Sequence, residues 1–235
     1  MGISTGFGRV ELFDDFLGQA LRGEWQEVTE NSGTFAPTAT GLEGGVAALT
    51  TGTTSGNRVG AYLELNFKAG TGSIVFEARV KSRTAITTRA IFIGFTDVAT
   101  IENPIEIGAS DAVTSNATNG VGFIYDTDAA TDKWWVAGVK ADVDTALTAV
   151  NLNGTQQAPV ADQWQTFRIE INTDGDAVFG FGADTGSNYG CKEVARIANC
   201  VAPTALLVPV VLCETRTSGA SIVDIDYIYV CGGRP

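Results

Sequence analysis

Several residues of this chain could do chemistry, and most are carboxylates, cysteines or tryptophans. The acidic alternations Glu102…Glu106, Asp142…Asp144 and Asp224…Asp226 are the nearest approach to paired catalytic carboxylates. A retaining glycosidase needs a nucleophile and an acid/base held about 5–5.5 Å apart. The E-x-D-x-x-E spacing that places such groups on one strand face is absent, so no catalytic residue is assigned and no enzyme is expected. Asp126-Thr-Asp128 with Asp132, and Asp174-Gly-Asp176, carry enough oxygens to suggest calcium. The first lacks the central glycine and closing glutamate of an EF-hand loop, and both also read as solvated turn aspartates. Calcium is thus the one cofactor the residue types allow, and none is required.

Trp134-Trp135 is the candidate aromatic platform for a sugar, because neighbouring strand residues point to opposite faces. The alternative is that one ring fills the core while the other packs under a loop or a neighbouring subunit. Cys191, Cys200, Cys213 and Cys231 match no zinc spacing. They are either buried thiols in a reducing cytosol or include a local Cys191–Cys200 bridge, with Cys213 and Cys231 left as strand thiols. Gly180-Phe-Gly182-Ala-Asp-Thr-Gly186 follows a strand with no βαβ unit, so its glycines mark a bend or bulge, not a dinucleotide loop.

What is missing is as informative. No histidine occurs, which excludes Ser-His-Asp and Cys-His catalysis and histidine-ligated zinc. The net charge of −12 argues against nucleic acid and against an anionic membrane surface as partners. No apolar run is long enough to span a bilayer, and the start lacks a signal-peptide pattern, so synthesis in a cytoplasm is expected.

The elements that must position these residues are strands. Alternating or β-branched runs occupy Val10–Phe16, Val46–Thr51, Arg58–Phe67, Ser73–Lys81, Arg89–Thr96 and Gly120–Asp126. They resume at Lys133–Ala141, Trp164–Asn172, Ala177–Phe181, Leu206–Glu214 and Ser221–Cys231. Gly, Asn, Asp, Ser and Thr clusters separate them. On Trp164–Asn172 one face reads Trp164, Thr166, Arg168, Glu170 and the other Phe167, Ile169, Ile171. The turn at Asp174-Gly175 then predicts a hairpin. Asp224 and Asp226 read as a solvent face pairing with Arg79 or Lys81. Helical signal is confined to a turn or two in Phe16–Trp25 and a short helix over Glu193–Cys200. The stretch Val98–Asn119 reads as an elaborated loop, functional or ordered by a partner. The fold class is therefore all-β: a two-sheet antiparallel sandwich or jelly roll of one domain over 10–231. An N-terminal arm (1–9) and a C-terminal tail (232–235) flank it.

The order of these segments resembles the concanavalin A-like (laminin-G-like) jelly-roll domains of tailed-bacteriophage structural proteins. The likeness rests on Phe13-Asp-Asp-Phe16 with Trp25, Thr50–Asn57, Ile74–Lys81 leading to Ile93–Asp97, and Gly122–Asp126. Lys133–Val136, the Trp164 hairpin, Val211–Arg216 and Val223–Val230 complete it. The insert Gly182–Pro203 departs from the pattern. The resemblance implies a virion protein that decorates and cements the outside of the capsid, with the major capsid protein and its own copies, as a homotrimer, for partners. A carbohydrate- or receptor-binding module of a tail fibre or spike is the alternative it leaves open.

Overall fold

The structure, a computed structural model, describes residues 8–18, 20–38, 45–64, 66–83, 86–184 and 190–233. The early strands are β1 (Arg9–Asp14), β2 (Trp25–Thr29), β3 (Thr34–Pro37), β4 (Ala47–Thr50), β5 (Arg58–Leu63), β6 (Ile74–Ser82) and β7 (Arg89–Thr96). A hairpin of β8 (Ile105–Gly108) and β9 (Ala112–Ser115) precedes β10 (Asn119–Asp126) and β11 (Trp135–Lys140). Four two-residue strands follow, β12 (Val143–Asp144), β13 (Thr148–Ala149), β14 (Asn151–Leu152) and β15 (Thr155–Gln156). The last are β16 (Trp164–Ile171), β17 (Ala177–Ala183), β18 (Lys192–Ile197), β19 (Val208–Thr215) and β20 (Ile222–Gly233).

They form two eight-stranded antiparallel sheets. Sheet I runs β18-β17-β16-β6-β20-β4-β3, with β1 also pairing β20; sheet II runs β12-β11-β10-β7-β19-β5-β2, with β13 on β11. The fold is thus the expected all-β sandwich of the jelly-roll kind. Strict alternation explains why. On β16, Phe167, Ile169 and Ile171 point inward and are fully buried, while Trp164, Arg168 and Glu170 stand outward. The inward residues of both sheets meet in one core, where Phe123 lies edge-on to Phe167 and Phe179 at 5.1 and 5.4 Å. Gly94 faces Gly122 across β7 and β10 because a Cβ on Gly94 would sit 2.6 Å from the Gly122 Cα.

Several sequence boundaries move. Arg9, placed in the arm, belongs to β1 and pairs with Gly233, while Gly232 pairs with Val10; the expected tail is therefore strand through Gly233. Glu193–Cys200 is no helix. Lys192–Ile197 forms the edge strand of sheet I, so the insert Gly182–Pro203 adds a strand. The register shift beside Gly180 and the exposure of both faces of an edge strand erased its alternation. The described residues from Phe16 to Glu24 hold no helix, only bends, a turn and irregular chain, and Trp25 opens β2. Val98–Asn119 contains the β8–β9 hairpin, and what orders it is the chain's own sheet II.

Candidate functional site

The proposed aromatic platform is not available at the surface. Trp134 lies 1% exposed between the sheets, edge-on to Phe167 at 4.7 Å, its Nε1 donating to Gln165 Oε1 at 2.9 Å. Trp135 points the other way, as alternation requires, yet is buried in a second apolar cluster beneath Leu147 and Ala149. The Lys133 ammonium sits 4.0 Å from its ring centroid.

Of the two readings of the cysteines, the Cys191–Cys200 bridge is not formed: all four are free thiols, and Cys200, Cys213 and Cys231 are buried. Cys191 and Cys200 bracket the six-residue strand β18, which at about 3.3 Å per residue holds them about 20 Å or more apart. A disulfide needs Cα atoms within about 7 Å. Burial pushes the Cys191, Cys200 and Cys213 thiols up to about 12.

The calcium readings meet other partners. Asp126, 1% exposed, accepts from Arg216 Nη2 and Nε at 2.5 and 3.1 Å and from the Asp128 amide, while Asp128 is 3.5 Å from the same guanidinium. A donor set already facing a guanidinium does not suit a cation. Asp176 accepts from the Asn199 amide at 2.7 Å and from Asn172; these bonds, the Asn199 one foremost, hold its carboxyl below the usual range. Asp224 is buried, not solvent-facing, and is bound by Arg83 and Lys81, while Asp226 pairs with Arg79 at 2.6 Å.

The two outward faces differ. On sheet II the side chains of Tyr62, Phe92, Ile124, Trp135, Val210 and Leu212 are roofed by Ile105 and Ile107 of β8. At one margin a buried ion cluster fastens the roof. Glu214 accepts from Arg58 Nε (2.9 Å), Arg216 Nη1 (2.7 Å) and Asn103 Nδ2 (2.5 Å). Arg58 also reaches Glu102 and Glu106 on the roof itself. Burial raises the carboxyls of Glu214 and Asp126 above the ordinary range, against the opposing pull of Arg58 and Arg216. Ile105-Glu-Ile107 alternates and could have marked the strand; the cross-chain partners of Glu214 left no local signal.

Among the described residues, sheet I presents an open face. Along β16 stand Trp164, Thr166, Arg168 and Glu170, flanked by Val75, Glu77, Arg79 and Lys81 of β6. The half-buried Trp164 ring has the Arg79 guanidinium and the Lys81 ammonium each 4.8 Å from its centroid. Arg168 bridges Glu77 (3.0 Å) and Glu170 (2.7 Å), Arg79 bridges Asp184 and Asp226, and Tyr227 Oη donates to Glu77. Beside them two depressions of about 310 and 350 Å³ join over Glu170, Val178 and Arg196. Gly180 leaves the second one open: a Cβ there would meet Cys191 and Arg168 at 3.2 and 3.3 Å. An aromatic ring, an aliphatic floor and a row of fixed donors and acceptors are together suited to a hydroxyl-rich ligand.

No protein-family model matches the chain, and no curated protein matches it. Solved structures do. A protein of unknown function from Shewanella oneidensis superposes with a TM-score of 0.62 at 16% identity, covering 99% of this chain and 90% of its own. The lectin UEA-II, solved with galactose, gives 0.61 at 10% identity over 96% and 99%. The carbohydrate recognition domain of Emp47p gives 0.60 at 13% identity over 95% of each chain. At such identities the likeness establishes the fold alone, a two-sheet antiparallel jelly roll of the kind these lectin domains share.

Proposed function

We propose that the chain is a non-catalytic carbohydrate-binding module that takes its ligand on the outward face of sheet I. The observation that carries this is Trp164 standing at the head of a row of cross-paired charges that opens into the groove at Glu170 and Arg196. The lectin-like fold supports it. Guanidinium–carboxylate pairs fix planar donors and acceptors without leaving a net field, which favours uncharged sugars over polyanions. Glu77 and Glu170 share Arg168, an arrangement unlike the one protonated and one ionised carboxyl that glycoside cleavage requires. The test is a glycan array followed by calorimetry: the chain binds an uncharged glycan, and Trp164→Ala lowers affinity by about tenfold or more while leaving the circular dichroism spectrum intact. A wild-type chain silent on neutral glycans sinks the reading.

A second reading is favoured by two apolar side chains. Phe13 in β1 and Leu17 just after it are 51% and 71% exposed, the kind of contact a neighbouring subunit covers. On this reading the protein decorates the exterior of a tailed-phage head as a cement protein, with the major capsid protein and its own trimer mates as partners. Hundreds of copies per purified particle is the expected count; a few dozen at the tail contradicts it.

A further inference from the structure

The sequence contains the step Asn-Gly twice, at Asn119–Gly120 and Asn153–Gly154. The two steps sit in opposite surroundings. Asn119 is 8% exposed at the head of β10; its Oδ1 accepts from the Ala141 and Ala202 amides and its Nδ2 donates to Asp97. Gly120 is paired on both sides, with Val139 of β11 and Thr96 of β7. Asn153 and Gly154, by contrast, are the two exposed residues between β14 and β15, with φ of +53° and +82°. That is the type I′ hairpin turn, in which the closing pair is Leu152 with Thr155 and the Gly154 amide lies outside the ladder. The ladder is only two residue pairs long, so it opens locally without the rest of the domain. A Cβ built on Gly154 meets nothing within 4 Å, which leaves room for the Asn153 side chain to swing over the Gly154 nitrogen. Lys192 Nζ donates to Asn153 Oδ1 at 3.3 Å.

We infer that Asn153 is a self-modification site that converts to aspartate and isoaspartate. The Gly154 backbone nitrogen attacks Cγ of Asn153, forming the C–N bond of a five-membered succinimide. The carboxamide nitrogen leaves as ammonia, carrying away the proton given up by the Gly154 amide. Water then adds to either imide carbonyl and breaks the ring, so the sum is one water consumed and one ammonia released, with no oxidant and no enzyme. Lys192 is a positioning residue: its ammonium draws electron density from the amide carbonyl and faces the oxyanion of the tetrahedral intermediate. Both products place a carboxylate beside Lys192, turning a neutral-acceptor hydrogen bond into an ion pair between the β14–β15 hairpin and edge strand β18. The isoaspartyl product also lengthens the backbone of the turn, which then no longer fits the I′ geometry.

The test keeps the full chain in warm, mildly alkaline buffer and follows proteolytic peptides by mass spectrometry, with isoaspartyl methyltransferase labelling to separate the isomers. The Asn153 peptide gains one mass unit at least about tenfold faster than the Asn119 peptide, because the hairpin tip opens far more readily than a central strand. Lys192→Met slows conversion at Asn153 a few-fold and leaves Asn119 unchanged. An Asn153 peptide that stays unmodified, or equal rates at the two steps in a folded sample, overturns the site; an unaltered rate in Lys192→Met removes Lys192 from it.

Discussion

On sheet II the outward face carries Tyr62, Phe92, Trp135 and Leu212, and the chain has laid its own β8–β9 hairpin across them. On sheet I the same positions carry Trp164, Arg168, Glu170, Glu77 and Arg79, and nothing among the described residues lies over the groove beside them. Both sheets obey one alternation rule, so the difference lies in composition at the outward positions alone. Apolar outward residues demand a cover, and the inserted hairpin with its buried ion fastening supplies it. Charged outward residues that satisfy one another need no such cover.

Four experiments would break or sharpen this contrast. A large effect is expected where charge is buried. Glu214→Ala removes the buried carboxylate shared by Arg58, Arg216 and Asn103, leaving Arg58 only the roof glutamates and Arg216 only the Asp126 side. It should cost about 3 kcal/mol in urea unfolding, whereas Arg168→Ala on the open face should cost no more than about 1 kcal/mol. Similar losses for both would mean that sheet I is not an open face at all. The tryptophans should separate next: Trp135→Ala loses about 3–5 kcal/mol by leaving a cavity, while Trp164→Ala loses about 1 kcal/mol. Glycan affinity should respond to Trp164 alone.

A smaller readout is thiol chemistry. With Cys191, Cys200 and Cys213 raised to about 12 by burial, the native protein should react slowly with iodoacetamide at neutral pH. Denaturation should expose four alkylatable thiols, with equal mobility on reducing and non-reducing gels. A Cys191–Cys200 peptide joined by a bridge contradicts the strand between them.

The smallest effect is the sign of the pH response. Asp126 and Glu214 on the covered side have raised carboxyls, so the folded state holds their protons more tightly than the unfolded chain does. Their contribution is complete below the ordinary carboxylate range and fades as pH rises through the raised values. Glu193, held down by the Arg196 hydrogen bond, and Asp176 behave oppositely: their contribution is present above the ordinary range and fades as pH falls through their depressed values. The melting temperature should therefore fall modestly between mildly acidic and neutral pH, and Asp126→Asn should flatten that slope. A slope that Asp126→Asn leaves unchanged assigns the effect elsewhere.

Much of the scaffold was legible because alternation is a local property. The run Arg89–Thr96 matches β7 to the residue, and the alternation of Trp164–Asn172 sorts the two faces of β16 correctly. The site was only half legible. Alternation puts Trp164, Arg168 and Glu170 on one face, yet it points to Trp134-Trp135 as the platform, since it states that two neighbours diverge but not what roofs each side. The cover over Trp135 comes from contacts between β8 and sheet II, about 30 residues away in the chain. Short or edge elements such as β2, β3 and β18 escaped because few of their residues are buried on either face.

The pairing of Arg9 with Gly233 brings the two described ends of the chain side by side. Opposed forces applied there would act along the hydrogen bonds of β1 in turn, unzipping it from the Arg9 end one rung at a time without shearing all its rungs together. Held by a single end, the domain transmits load past its sandwich; tethered by both, it would shed its first strand before the core feels tension.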